Sequence, residues 1–182
     1  IKSASEGIYE ETTQEVKLRM ATTTLFRPTK NDLTEDTRIK AIAMLEPHML
    51  SAIDLGLQIK QAHWNVRGPN FIGLPELFDK FVDAVRLNSD DIAERVVQLG
   101  GEAVGRADRV AAGSYLAKFP QHLEGERAFV EHVASLLATF AKHVRKGIDD
   151  ADEMGDMVTS DLLTQIGREV DKNLWFVEAH LG

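Results

Sequence analysis

The chain contains no cysteine among its 182 residues, and only five prolines and 7% aromatic residues. Without thiols, it cannot form disulfides, thiolate zinc sites or iron–sulfur clusters, so any bound metal must have histidine, carboxylate or carbonyl ligands. No apolar run approaches the roughly 20 residues that a membrane-spanning helix needs, and no secretory signal peptide is recognisable. We therefore expect a cytoplasmic protein with no membrane partner.

Positive charge is also scarce, because 21 Lys and Arg residues face 29 Asp and Glu residues, for a formal net charge of −8. Affinity for nucleic acid comes largely from Lys and Arg contacts to phosphate, so this balance argues against a generic nucleic-acid binder. Residues 1–32 carry five basic and five acidic residues and are neutral as a segment. An acidic surface attracts cations instead.

Apolar residues recur at three- and four-residue steps in four long segments, which predicts an all-α four-helix bundle. We expect one domain over residues 33–182, preceded by a partly ordered N-terminal extension over residues 1–32. Helices are predicted from about residue 34 to 63, 75 to 99, 123 to 149 and 157 to 180, with a short helix near 108–116 in the long connection. The predicted buried positions of the first and last helices are Ile39, Ile42, Leu45, Met49, Ile53, Leu57 and Ile59, and Val158, Leu162, Ile166, Val170, Leu174 and Val177.

A histidine and three carboxylates in the first half of the chain form a candidate metal site: His63, Asp79, Asp90 and Glu94. At 100° per residue the three carboxylates share one face of the second helix. Asp79 and Asp90 are nevertheless about 16 Å apart along the axis, far beyond the reach of one ion. One helix therefore cannot complete the site.

The break after His63 suggests how the site is completed. Gly68 and Pro69 interrupt the helix, and Pro75 suits the first turn of the next, so a tight reversal places His63 level with Asp79. Antiparallel pairing with a second subunit about a twofold axis would bring Asp90 and Glu94 to the same end.

The alternative is a solvated helix face with local ion pairs, since Arg86 precedes Asp90 by four residues and Arg95 follows Asp91 by four. Against this, Asp90 and Glu94 are a like-charge pair at the same spacing, which is unfavourable unless a cation lies between them. Spacing alone leaves both interpretations open.

Several linked motifs resemble the Dps family of mini-ferritins: KQAHWN, the RG-x-NF that follows it, ELFD, DDIAERVVQLGG and DKNLWFVEAHL. The resemblance covers most of residues 33–182. It implies a ferritin-like bundle that assembles through twofold dimers into a hollow homododecamer. It also implies ferroxidase sites at the dimer interface, with His63 and Asp79 from one subunit, Asp90 and Glu94 from its mate, and Trp64 close by. Iron and hydrogen peroxide, or dioxygen, would be the substrates, and Fe(III) would be stored in the shell to limit oxidative damage.

One position departs from the family pattern, because Pro75 stands where a second histidine is usual. Proline has no side-chain donor atom, so a di-iron centre here should hold its second iron weakly. The alternative function is a DNA-binding, nucleoid-compacting protein with a weakened ferroxidase centre, although the neutral extension does not favour DNA. A further alternative is a shell that binds zinc or manganese.

An acidic segment separates the last two predicted helices. The family resemblance implies that its acids line a threefold pore for iron, and Asp152, Asp156 and Asp161 are the candidates. The alternative is a polar loop in which Asp156 or Thr159 caps the last helix.

Other sites are less favoured. A ferritin with its di-iron site inside one subunit needs Glu-x-x-His motifs, and no glutamate here has a histidine three residues later. His132 and His143 are predicted to lie on the surface, and Trp175 is predicted to pack near the end of the bundle.

Overall fold

Helices account for all the regular secondary structure in residues 26–182, the part of the chain that the computed structural model describes. The five helices are α1 (Glu35–Asn65), α2 (Gly73–Gln98), α3 (Ala107–Gly113), α4 (Gly125–Glu153) and α5 (Met157–Glu178). The predicted all-α four-helix bundle with a short helix in its long connection is confirmed. Much of the predicted N-terminal extension lies outside the described residues, so the boundary at residue 32 stays a prediction.

Two antiparallel hairpins form the bundle, α1 with α2 and α4 with α5. In the first hairpin, Arg38 near the start of α1 donates from Nη1 to the carbonyl of Leu99, which follows α2, at 3.0 Å. At the opposite end, His63 lies against Pro75. α1 also contacts α4 and α3, and α2 contacts α5. The end of α1 and the start of α2 are therefore held side by side.

Capping side chains define the starts of two helices. Thr34 caps α1 and accepts from the Thr37 amide at 3.2 Å. Asp156 caps α5 in the same way, accepting from the Thr159 amide at 3.1 Å. A glycine follows the end of α2, because Gly100 has a φ of +97°, a conformation that other residues rarely adopt.

The core contains most of the predicted apolar positions, but three of them are exposed. Ile39 and Leu57 on α1 are 48% and 62% exposed, and Val158 on α5 is 63% exposed. Leu163 is fully buried instead, five residues after Val158. The prediction placed the buried residues of each helix on one narrow apolar stripe. This does not hold for α1, because three other helices contact it and its buried residues spread around the helix.

The prediction that His132 and His143 lie on the surface is wrong. Both rings are partly buried against the connection before α4, where His143 stacks on Tyr115 with centroids 3.9 Å apart and His132 meets the Phe119 ring edge-on at 4.6 Å. Burial lowers the pKa of each imidazole. The connection therefore covers this side of α4.

The segment before α1 also contacts the bundle. The Arg27 amide donates to the Gly100 carbonyl at 2.6 Å, and the Arg38 guanidinium lies 4.6 Å from the centre of the Phe26 ring. Over residues 26–182, no helix has both the length and the apolar character to cross a membrane.

Candidate metal centre

The junction of α1 and α2 brings two of the four predicted ligands together. His63 lies in the last turn of α1, and Asp79 lies in the second turn of α2. His63 Nδ1 is 3.2 Å from Asp79 Oδ1, as the predicted chain reversal requires. The His63 side chain is 21% exposed and that of Asp79 is 45% exposed, so both remain accessible from solvent.

A backbone carbonyl orients the histidine ring. His63 Nδ1 lies 2.9 Å from the carbonyl oxygen of Pro75, closer than it lies to Asp79. A carbonyl can only accept, so this contact requires a proton on Nδ1, and in the neutral ring the lone pair is then on Nε2. Metal-binding histidines commonly have this arrangement, with one nitrogen donating to a carbonyl and the other free to bind the ion. Pro75 thus supports the site through its backbone, although its side chain offers no ligand.

A lysine occupies the carboxylate side of this half-site. Lys60 lies one turn before His63 on α1, and its ammonium pairs with Asp79 Oδ1. The ammonium neutralises the Asp79 carboxylate, which otherwise would attract a cation. A metal ion at Asp79 must therefore compete with Lys60.

Asp90 and Glu94 lie further along α2 and are exposed. The local ion pairs of the alternative interpretation are not formed in residues 26–182: Arg86 makes none with Asp90, and Arg95 turns inward to pair with Asp156. Leu87, on the same face as these carboxylates, is 66% exposed. This face combines unpaired carboxylates with an exposed apolar side chain.

The four predicted ligands are not gathered within one protomer. In the described part of the chain, no group of three or more His, Asp or Glu side chains could hold one metal ion. His63 and Asp79 form one half-site, and Asp90 and Glu94 are more than two helical turns away from Asp79.

Comparison with known proteins supports the family resemblance of the motifs around that half-site. A family model described as a ferritin-like domain matches residues 42–182. A DNA protection during starvation protein of Agrobacterium fabrum is 42% identical over 153 residues, covering 84% of this chain and 94% of that protein. Another from Mycolicibacterium smegmatis is 32% identical over 138 residues, covering 76% of this chain and 75% of that one.

Solved structures of Dps proteins are similar to the fold of this chain. Mycobacterium smegmatis Dps in its tetragonal form superposes with a TM-score of 0.81 at 30% identity, covering 85% of this chain and 93% of that one. DpsC from Streptomyces coelicolor superposes with a TM-score of 0.82 at 28% identity, covering 86% and 92%. The chain belongs to the Dps family of mini-ferritins.

Both tryptophans of this Dps-family chain are exposed in the single protomer. Trp64, next to His63, is 64% exposed, and Ile72 at the same end of the bundle is 71% exposed. Trp175 lies in the last turn of α5, near the end of the bundle as predicted, but it is 63% exposed and contacts the neighbouring Phe176. An assembly surface can cover such residues, whereas the protomer does not.

Of the three candidate pore residues in the acidic segment, one is buried and two are exposed. Asp156 is 1% exposed, because it caps α5 and also accepts from Arg95 Nη2 at 2.8 Å. Asp152 and Asp161 are exposed. The capping interpretation thus describes Asp156, while Asp152 and Asp161 are available for other contacts.

Sequence reasoning missed three contacts near the site. Lys60 lies three residues before His63, a helical spacing that could have revealed it. The Arg95 contact with Asp156 joins residues 61 positions apart, and a contact between Asn70 and Glu126 joins residues 56 apart. No local pattern marks such distant partners.

Proposed function

We propose that this protein binds Fe(II) at sites shared between two protomers, oxidises it with hydrogen peroxide or dioxygen, and stores Fe(III) inside a shell of twelve subunits. The observation that carries the proposal is the His63 and Asp79 half-site, in which the Pro75 carbonyl binds Nδ1 of His63 and leaves Nε2 as the candidate metal ligand. A half-site of two donors needs further ligands to hold iron firmly.

A twofold mate would supply those ligands. On the exposed face of α2, Asp90 lies about 16 Å and Glu94 about 22 Å from Asp79 along the helix axis, so antiparallel pairing of two copies would bring each pair to the other protomer's histidine. Exposed Leu57, Trp64 and Leu87 on α1 and α2 support burial of this surface by a second copy.

The donor types suit iron oxidation. Carboxylates are hard oxygen donors that favour Fe(III) over Fe(II), and the imidazole of His63 adds a nitrogen donor for the divalent ion. Hydrogen peroxide would take one electron from each of two Fe(II) ions, together with two protons, and leave as two water molecules. Removing peroxide and Fe(II) together would limit oxidative damage.

Iron would reach the shell interior through a pore lined by acids of the segment between α4 and α5. We assign this role to Asp152 and Asp161, whose carboxylates are exposed. Asp156 belonged to the same predicted set, but its carboxylate is committed to Arg95 and Thr159.

The direct test is an anaerobic Fe(II) titration followed by peroxide addition. Glu94→Ala should slow oxidation by at least about a hundredfold, because one of the few anionic ligands is lost. Asp91→Ala is the matched control, since Asp91 is an exposed acid one residue from Asp90 on a different face of α2. If Glu94→Ala oxidises iron as fast as Asp91→Ala, the proposed site is wrong.

Pro75 should weaken the second iron of this centre. Pro75→His adds an imidazole four residues before Asp79, on the same face of α2. We expect a second tightly bound Fe(II) per site in the anaerobic titration. Pro75→Ala removes the ring without adding a donor, so it should bind iron as the wild type does. Equal stoichiometry in all three proteins would show that the side chain at position 75 does not limit binding.

DNA binding is the alternative function, because the matching relatives carry the name DNA protection during starvation protein. A net charge of −8 opposes it, since phosphate contacts need Lys and Arg. Retardation of duplex DNA in a gel at physiological salt without added divalent metal would favour this alternative.

A further inference from the structure

The loop between α1 and α2 is attached to the start of α4 through one carboxylate. Glu126 Oε2 accepts from the Asn70 backbone amide at 2.8 Å, and Oε1 accepts from Asn70 Nδ2 at 2.7 Å. These hydrogen bonds lower the pKa of Glu126, the side-chain donor of Asn70 contributing most and its backbone amide next. The carboxylate therefore stays ionised as the acceptor of both bonds.

Close packing accompanies these hydrogen bonds. A Cβ atom at Gly68 would lie 2.6 Å from Glu126 Cβ, a separation that real side chains do not reach. Only glycine lets the loop backbone lie against Glu126 at this point. The loop is thus fitted to this one residue of α4.

A short series of contacts connects the attached loop to the metal half-site. The carbonyl of Asn70, the residue that Glu126 holds, accepts from the Leu74 amide at 3.0 Å in the first turn of α2. The next residue is Pro75, whose carbonyl lies 2.9 Å from His63 Nδ1. A displacement of Asn70 would therefore move the carbonyl that orients the His63 ring.

We infer that Glu126 is a positioning residue for the metal site: it holds Asn70, and through the first turn of α2 it sets the Pro75 carbonyl that aims His63 Nε2 at the ion. The inference rests on the proposed function, since it concerns how the same site is oriented. Glu126 itself does not bind the metal. A carboxylate suits the role because it can accept from both Asn70 donors at once.

A pair of reciprocal substitutions tests this arrangement. Asn70→Asp places two carboxylates face to face, so the loop should separate from α4. Adding Glu126→Gln to that variant restores both bonds, because the glutamine oxygen accepts from the backbone amide and its NH₂ donates to Asp. Glu126→Gln alone should be mild, since the Asn70 amide can turn over and accept from it.

The probe is Co(II), whose visible absorption reports its ligands and which is stable in air. We expect Asn70→Asp to weaken Co(II) binding by about three- to tenfold and the double variant to return within about twofold of wild type. Fe(II) oxidation should be slowed mainly at limiting iron, because positioning of a ligand affects binding first. Thermal unfolding of each variant separates a local effect from a general loss of stability.

Glu131→Gln is the matched control. Glu131 lies on the same helix, and its carboxylate pairs with exposed Arg127 rather than with the loop. This variant should bind Co(II) as the wild type does. The positioning role is refuted if Asn70→Asp binds normally, or if Glu126→Gln fails to rescue it.

His63→Ala separates this inference from the function on which it rests. If His63→Ala binds Co(II) as tightly as the wild type does, the proposed metal site is wrong, and the positioning role is wrong with it. If binding depends on His63 but is indifferent to Asn70→Asp, only the role of Glu126 is wrong.

Discussion

At the scale of single residues, the proposed half-site places two candidate metal ligands beside a competing ammonium. Oδ1 of Asp79 is contacted by both His63 Nδ1 and the Lys60 ammonium. The Pro75 carbonyl lies within hydrogen-bonding distance of His63 Nδ1, the arrangement expected of a histidine that binds a metal through Nε2. The lysine has the opposite effect, because it satisfies the charge of Asp79 without metal.

Removing the competing ammonium should therefore strengthen metal binding. Lys60→Gln keeps a long polar side chain but deletes the charge, and we expect Fe(II) or Co(II) affinity to rise by up to about fivefold, as a partly exposed ion pair is worth about 1 kcal/mol or less. Isothermal titration measures this change. Lys80 is an exposed lysine on α2, so Lys80→Gln is the control for the loss of one positive charge. Weaker binding in Lys60→Gln would instead mean that the lysine supports the site.

At the scale of helices, a buried network joins the end of α2 to the start of α5. Arg95, next to Glu94, donates from Nε to Thr159 Oγ1 at 2.9 Å and from Nη2 to Asp156 Oδ1 at 2.8 Å. Arg95 and Asp156 are 6% and 1% exposed. The charges of both side chains are therefore removed from water and depend on each other.

Breaking this pair should destabilise the bundle. Arg95→Met leaves the Asp156 carboxylate buried without its partner, and we expect a loss of about 3–5 kcal/mol in the free energy of unfolding, measured by urea denaturation. The exposed pair of Arg145 and Asp171 also joins two helices, so Arg145→Met is the control and should cost less than about 1 kcal/mol.

A double variant checks that the loss comes from the pair. Asp156→Asn should cost less in the Arg95→Met background than it costs alone, because the unpaired charge has already been created. Strictly additive losses would contradict coupling between the two side chains.

At the scale of the whole molecule, the central question is whether each site takes ligands from two chains. Co-assembly of His63→Ala protomers with Glu94→Ala protomers answers it. Each variant alone has every site damaged. In a random equal mixture, a shared site is intact when a Glu94→Ala chain supplies His63 and a His63→Ala chain supplies Glu94.

We therefore expect about a quarter of wild-type ferroxidase activity from the mixture, measured after co-expression with distinguishable tags. Each of the two chains that form a site is the required variant with a probability of about one half. Mixing the two proteins without subunit exchange is the control and should give almost no activity. No recovery after true co-assembly would place all ligands of a site within one chain.

Local patterns in the sequence predicted much of this molecule. The four long helices, the short helix in the connection and the meeting of His63 with Asp79 all depend on residues that are close along the chain or joined by a tight turn. Helix periodicity and proline placement report such neighbours directly. The motifs around His63, which are also short stretches of neighbouring residues, indicated the Dps family by their resemblance to it.

Contacts between distant segments were decided only by the tertiary structure. The alternative interpretation paired Arg95 with Asp91 four residues away, but packing of α2 against α5 gives it Asp156 at a separation of 61 residues. The Glu126 contact with Asn70 and the exposure of Leu57 and Val158 likewise depend on which helices become neighbours. Periodicity shows that a helix has an apolar face, whereas the arrangement of the other helices decides how much of that face each residue shares.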